Sequence, residues 1–400
     1  MKIATYIGHL FLLHTVCFIK NLPQRLIGFT ALLIGLSSCK EVQQISDIIT
    51  KPTPRELYAR DYDNNLDYLK WHASYQTALH DSLYIELPYA EVGIFSDENL
   101  PVYSYDVHLE RGEKVMVKMT SDSTFAFLDI YSYKSADSLK NKPILSEKIN
   151  NQMPIAMLVE QSEKYKILIQ PQLYAFSTFK IEIYTQPSLK FPVAGFSDRA
   201  IQSFWGNPRS GGTRLHEGID IFAPRLTPVV AVTDGHISFT GERGLGGKQV
   251  WLRDGIFGAS YYYAHLDSIK TTTTNKVSAG DTLGFVGNTG NAKTTAPHLH
   301  FGIYTSKGAI DPLPFVRTRE RKEMNINTPS DLGIITSQKA NVRNEPNSNS
   351  LNLNTLKYQD TIQIMGRTRD WYHAILDNGS KGFIHKSLIK EVDNGVEQSL

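Results

Sequence analysis

Three short segments of this 400-residue chain hold histidine and aspartate at spacings that suit a metal site. They are Arg214-Leu215-His216-Glu217-Gly218-Ile219-Asp220, Tyr263-Ala264-His265-Leu266 and Pro297-His298-Leu299-His300-Phe301. Side chains alternate faces along a strand, so His298 and His300 point the same way if their segment is extended. Two unpaired imidazoles on one face make an awkward core element, and a metal ion explains them. The two cysteines, Cys17 and Cys39, both lie near the start of the chain, so no thiolate is on offer in the body. Neutral imidazole with a carboxylate suits zinc, which at catalytic sites takes three protein ligands and keeps a fourth position open. His216 and Asp220 can join a histidine of the third segment, provided Gly218 lets the backbone turn both side chains inward. Strand alternation alone does not divide His298 and His300 between ligand and non-ligand. Each motif by itself is weak; all three in order, with their flanking Gly, Tyr, Pro and Phe residues, argue against coincidence.

The surrounding texture shows what must position these residues. Residues 40–80 read as a tether followed by a helix, with Leu57, Tyr58, Leu66, Tyr68 and Leu69 at loosely helical spacing. Residues 81–187 alternate in the manner of half-buried strands, as at Tyr103–Val107, Lys114–Lys118, Tyr165–Ile169 and Phe179–Ile183. Short strands without intervening helices predict a β-sandwich, and His108 within them reads as a surface residue. Residues 188–318 are rich in glycine and short β patterns and hold all three segments. Residues 319–332 read as a solvated linker, 333–392 as a last compact β unit, and 393–400 as a polar tail. The fold class expected is therefore mainly β.

The three segments resemble the motifs of the LytM/lysostaphin-type (M23) zinc endopeptidases, through His216-x-Gly218-x-Asp220, Tyr263-x-His265-Leu266 and Pro297-His298-Leu299-His300-Phe301. Flanking matches are Gly206-x-x-Arg209, Ala223-Pro224-x-x-x-Pro228-Val229 and Val277-x-x-Gly280-Asp281-x-Leu283-Gly284. The resemblance implies a central antiparallel-β peptidase domain with one Zn²⁺ ion. It makes His216, Asp220 and His300 the metal ligands, and His265 and His298 catalytic histidines that do not bind metal. His216-Glu217 is not followed by the second histidine of a His-Glu-x-x-His motif, so histidine must replace the glutamate base. Ala340–Pro346, Asp370–Ala374 and Gly382–Ile384 resemble the bacterial SH3-like barrel, whose members bind cell-wall peptides. The sandwich run is similar to jelly-roll accessory domains of secreted peptidases, and it or the preceding helix is a candidate for occluding the active site.

The start of the chain is an address. Apolar stretches Ile3–Ile19 and Leu26–Leu36 are each shorter than a membrane-spanning helix needs. The second follows basic residues and ends in Leu36-Ser37-Ser38-Cys39, which resembles the lipobox of bacterial lipoproteins; residues 1–39 are then a lipoprotein signal peptide with Cys39 lipidated. A formal charge of +2 and the absence of a basic-aromatic platform exclude a nucleic-acid partner. The expectation is a peptidoglycan hydrolase that cleaves stem-peptide cross-links. It would be lipid-anchored in the cell envelope, facing the periplasm, with the outer membrane favoured. Peptidoglycan and the membrane are its expected partners, and oligomeric state is left open. Two rivals are an inactive LytM-type activator of a wall amidase and an envelope wall-binding protein; that all five functional positions are filled favours the enzyme.

Overall fold

The computed structural model describes residues 47–392 except 63–64, 97–99, 123, 134–141, 152, 256–257 and 320–324. Cys17, Cys39 and the tail at 393–400 lie outside the described residues. The chain divides at residue 63. Before it, the helix Pro54–Ala59 starts at a capping box, in which Thr53 and Glu56 satisfy each other's backbone N–H. No helix among the described residues is long and apolar enough to cross a membrane.

After residue 63 the architecture is the expected mainly β one. Helix Leu66–Ala78, capped by the Asn65 side chain on the amides of Asp67 and Tyr68, precedes a sandwich of two antiparallel sheets. One sheet runs Tyr103–Leu109, Glu163–Pro171, Ala126–Ser132, Leu145–Ile149, and the other contains Tyr89–Phe95, Ser177–Pro187, Glu113–Ser121 and Ile155–Leu158. The alternation predicts half-buried strands, yet Tyr103–Leu109 and Glu163–Pro171 are buried on both faces for most of their length. The helix is the reason. Trp71 Nε1 donates to the Pro171 carbonyl at 2.8 Å, Gln170 Nε2 donates to the Trp71 carbonyl at 2.8 Å, and the hydroxyls of Tyr75 and Tyr131 meet at 2.7 Å. Polar residues on that face are paired under the helix, so the sequence pattern reads as exposed what the fold covers. His108 is exposed, as expected.

The second sheet does not stop at the sandwich. Tyr89–Phe95 pairs antiparallel with Thr361–Thr368 of the C-terminal SH3-like unit, with Val92 opposite Arg367. Backbones come close there because glycine stands on both sides: a Cβ on Gly93 would lie 2.4 Å from the Met365 carbonyl oxygen, and one on Gly366 would lie 2.3 Å from Glu91 Oε1. Met365 and Phe383 belong to the sandwich core. Across the junction, His373 Nδ1 lies 3.0 Å from Glu91 Oε1, with both side chains fully buried.

The central region has its own core. Its sheet runs Lys276–Val277, Gly235–Arg243, Gly247–Arg253, Ser260–Ala264, His298–Thr305, Ile219–Phe222, Ile201–Ser203, all antiparallel. A three-stranded sheet of Pro228–Val230, Thr282–Val286 and Leu266–Ile269 closes over one face. This region is fastened to the sandwich on both its ends. The Ser188 amide donates to the Gly112 carbonyl at 3.3 Å, and Arg317 reaches Glu110 at 2.7 Å. Arg319, which opens the segment expected to be a solvated linker, pairs with Glu113 at 3.0 Å.

Candidate active site

Strand register assembles the site. Ile219–Phe222 lies antiparallel to His298–Thr305 so that Asp220 faces His300 and Phe222 faces His298. On the other flank Ala264 faces His300, which sets His265 at the end of its strand beside the same cluster. His265 sits at φ 63°, an uncommon conformation for a residue with a Cβ, and its amide is held by the Gly246 carbonyl at 2.8 Å. His216 arrives from the loop after Arg214–Leu215, its amide donating to the Asn207 carbonyl at 2.9 Å.

His216, Asp220 and His300 converge. His216 Nε2 lies 3.0 Å from Asp220 Oδ1 and 3.0 Å from His300 Nδ1, and His300 Nδ1 lies 2.9 Å from Asp220 Oδ1. His216 Nδ1 is 2.9 Å from the Phe204 carbonyl, which assigns the proton to that nitrogen and turns the lone pair of Nε2 toward the cluster. The triangle of about 3 Å edges is close to the ~3.4 Å edge of a tetrahedron built on ~2.1 Å zinc–ligand bonds. Two neutral nitrogens, one carboxylate oxygen, and a second-layer hydrogen bond fixing an imidazole are the donor set zinc takes. Burial would raise the Asp220 carboxyl, but the close His216 and His300 rings outweigh it and hold it well below the usual carboxylate range. Burial pushes His300 down.

The other two histidines stand beside the triangle. His265 Nδ1 lies 2.9 Å from the Thr289 carbonyl and His298 Nδ1 lies 2.9 Å from the Ala296 carbonyl, so each presents Nε2 to the cleft. Their ring centroids are 5.1 Å apart, and His298 stacks on Phe222 at 4.9 Å. Burial, with His300 and His298 nearby, lowers His265 to about 4, leaving it neutral at physiological pH. All five residues line one cleft of about 850 Å³, and every residue lining it comes from between Ser203 and Tyr304. Among the described residues the sandwich therefore contributes nothing to its lining.

Two details differ from the sequence reading. Gly218 is required for space rather than for backbone freedom: a Cβ there would lie 2.7 Å from His300 Cε1 and 2.5 Å from the Phe301 carbonyl oxygen. Arg209, which the spacing marks only as a flank, donates Nη2 to Asp220 Oδ2 at 2.7 Å and so holds the outer oxygen of the carboxylate. Its place at a fixed distance before His216, in Gly206-x-x-Arg209, is the one sequence signal that could have found it. The cleft wall of Trp251, Tyr262 and Tyr304 carries no motif and emerges only from strand pairing.

Residues 214–312 match Peptidase family M23, and residues 339–390 match the Bacterial SH3 domain. The chain carries an M23 peptidase domain. Around it, the chain is 36% identical over 145 residues to the L-Ala--D-Glu endopeptidase of Bacillus subtilis (strain 168), covering 33% of this chain and 44% of that one. It is 37% identical over 137 residues to the DD-carboxypeptidase/endopeptidase Mpg of Neisseria meningitidis serogroup B (strain MC58), covering 34% and 28%. It is 36% identical over 110 residues to the glycyl-glycine endopeptidase ALE-1 of Staphylococcus capitis, covering 26% and 29%. The chain thus spans less than half the length of these curated relatives. M23 peptidases are zinc enzymes, and the His216–Asp220–His300 group of this M23 domain fits a zinc site.

Proposed function

We propose that the protein is a zinc-dependent endopeptidase of peptidoglycan, cutting stem-peptide cross-links. The convergence of two imidazoles and one carboxylate on a single point beside two further cleft-facing imidazoles carries this reading. His216, Asp220 and His300 would hold the ion. Zinc bound there supplies Lewis acidity, polarising a peptide carbonyl and acidifying water. Arg209 keeps Asp220 oriented and ionised, and the Phe204 carbonyl keeps His216 in the tautomer that leaves Nε2 unprotonated.

His265 and His298 move the protons. Each has its Nδ1 tied to a backbone carbonyl, which fixes the ring and leaves Nε2 as the exchangeable position. A neutral Nε2 accepts the proton of the attacking water; the same nitrogen, once protonated, stabilises the developing oxyanion or returns the proton to the departing amine. The half-buried Phe222 ring stacked on His298 keeps that imidazole in place. The C-terminal SH3-like unit serves as the wall-binding module. It raises the local concentration of substrate around the cleft without adding a catalytic contact. The Leu36–Cys39 segment supports lipid anchoring at Cys39 in the envelope, facing the periplasm.

Digestion of purified sacculi by the zinc-loaded protein, with released fragments read by mass spectrometry, tests the reading. Fragments ending at a stem-peptide or cross-link bond are expected. Intact sacculi after incubation with fully zinc-loaded protein would refute it and leave the amidase-activator reading.

A further inference from the structure

The cleft is not evenly lined. From the ion-binding triangle an aromatic wall runs outward: Tyr262 lies 5.7 Å from His300, Trp251 lies 4.5 Å from Tyr262, and Tyr304 lies 5.2 Å from Trp251, all centroid to centroid. Two guanidinium groups border this wall. Arg243 sits over the Phe239 ring at 4.2 Å, and Arg214 lies two positions before His216. Both arginines line the cleft and are exposed, and neither has an ion-pair partner among the described residues. Arg209, by contrast, is already committed to Asp220. The acid on this side is Glu217, which accepts from the Tyr304 hydroxyl at 3.4 Å. Two unmatched cations against one acid leave positive charge concentrated where a peptide passing the ion would lay the residues next to its scissile bond.

We propose that Arg214 and Arg243, bordering the Trp251–Tyr262–Tyr304 wall, form a carboxylate subsite that selects acidic stem peptides over neutral glycine bridges. This rests on the endopeptidase reading above and names its substrate class. Guanidinium groups bind carboxylates through paired, charge-assisted hydrogen bonds, and the aromatic wall gives the peptide backbone a flat surface beside them. A glycine bridge has no side chain for the wall and no charge for the arginines. Free carboxylates within a residue or two of the cut bond are what a stem peptide offers.

The test uses the zinc-loaded full chain and three synthetic substrates: a cross-linked stem peptide with free carboxylates, the same peptide with those groups as carboxamides, and pentaglycine. The free-acid peptide is expected to have a kcat/KM roughly tenfold or more above its carboxamide, the difference residing in KM and shrinking as salt rises. R214Q and R243Q should each raise KM for the free acid and narrow its lead over the carboxamide, and R243K should keep part of it. Equal cleavage of acid and carboxamide by the unaltered protein would overturn the proposal. So would a fall of the same size on both substrates in the arginine variants, or a preference for pentaglycine. Cleavage of none of the three by protein with full zinc content would instead overturn the endopeptidase reading, and the subsite with it.

Discussion

Two buried clusters in this chain combine histidine with a carboxylate, and they are chemically opposite. In the M23 domain, Asp220 Oδ1 is met at 3 Å by ring nitrogens of His216 and His300, and the one obligate donor, Arg209, is spent on the other oxygen. At the junction of sandwich and SH3-like unit, Glu91 is surrounded by donors: Tyr105 at 2.6 Å and Tyr89 on one oxygen, His373 on the other. The first cluster has more lone pairs facing inward than hydrogens to fill them, so it calls for a cation. In the second, both carboxylate oxygens already have donors, so it holds two β units together. Residue type does not separate them; the hydrogen-bond complement does.

That contrast can be broken experimentally, most strongly at the ion site. Asp220→Asn should abolish stoichiometric zinc by elemental analysis and lower wall digestion by roughly 10²–10³-fold or more. His300→Ala should behave alike, whereas His298→Ala should keep zinc and lose turnover. Equal zinc loss in His298→Ala and His300→Ala would reverse their assigned roles. The mirror experiment is Glu91→Ala, which leaves buried donors with no acceptor. About 3–5 kcal/mol of stability should be lost in urea unfolding, with zinc content and the free-zinc affinity unchanged. A change in zinc affinity there would mean the two clusters are coupled.

Smaller effects sharpen the comparison. Arg209→Ala removes the support behind Asp220 and is expected to weaken zinc binding about 10–100-fold by competition with a chelator, with the fold intact by circular dichroism. Chelation of the wild-type protein should lower the melting temperature only for the transition that reports on the M23 domain, because zinc binds that folded region alone. Least of all, Gly93→Ala forces a Cβ against the Met365 carbonyl and should cost about 1–3 kcal/mol, again without touching the ion.

Much of the site is legible in the amino-acid sequence. Motif order exposes His216, Asp220, His265, His298 and His300, because zinc chemistry admits few residue types and the flanking glycines and aromatics stand around them in a fixed pattern. Arg209 is visible there only as a flank, since an arginine's partner is a matter of where its guanidinium lands. The strands at Tyr103–Val107 and Tyr165–Ile169 are legible too, but alternation understates their burial: Lys166 and Asp106 look solvent-facing until they are seen paired at 2.9 Å, with Lys166 also donating to the Asp81 carbonyl just past the helix. The sheet shared by sandwich and SH3-like unit leaves no mark beyond two glycines.

The sequence by itself determined the chemistry available: a cysteine-free body, histidine and aspartate in three ordered motifs, and strands rather than helices to carry them. Tertiary structure alone decided which nitrogens meet. Asp220 and His300 lie eighty positions apart and become neighbours through antiparallel register, and only that register separates His300, facing the carboxylate, from His298, facing Phe222. The physical reason is range. Ligand type and local spacing are properties of a few consecutive residues, whereas a coordination triangle, an arginine-bordered wall and a filled carboxylate depend on distances that the chain sets only once its strands have paired.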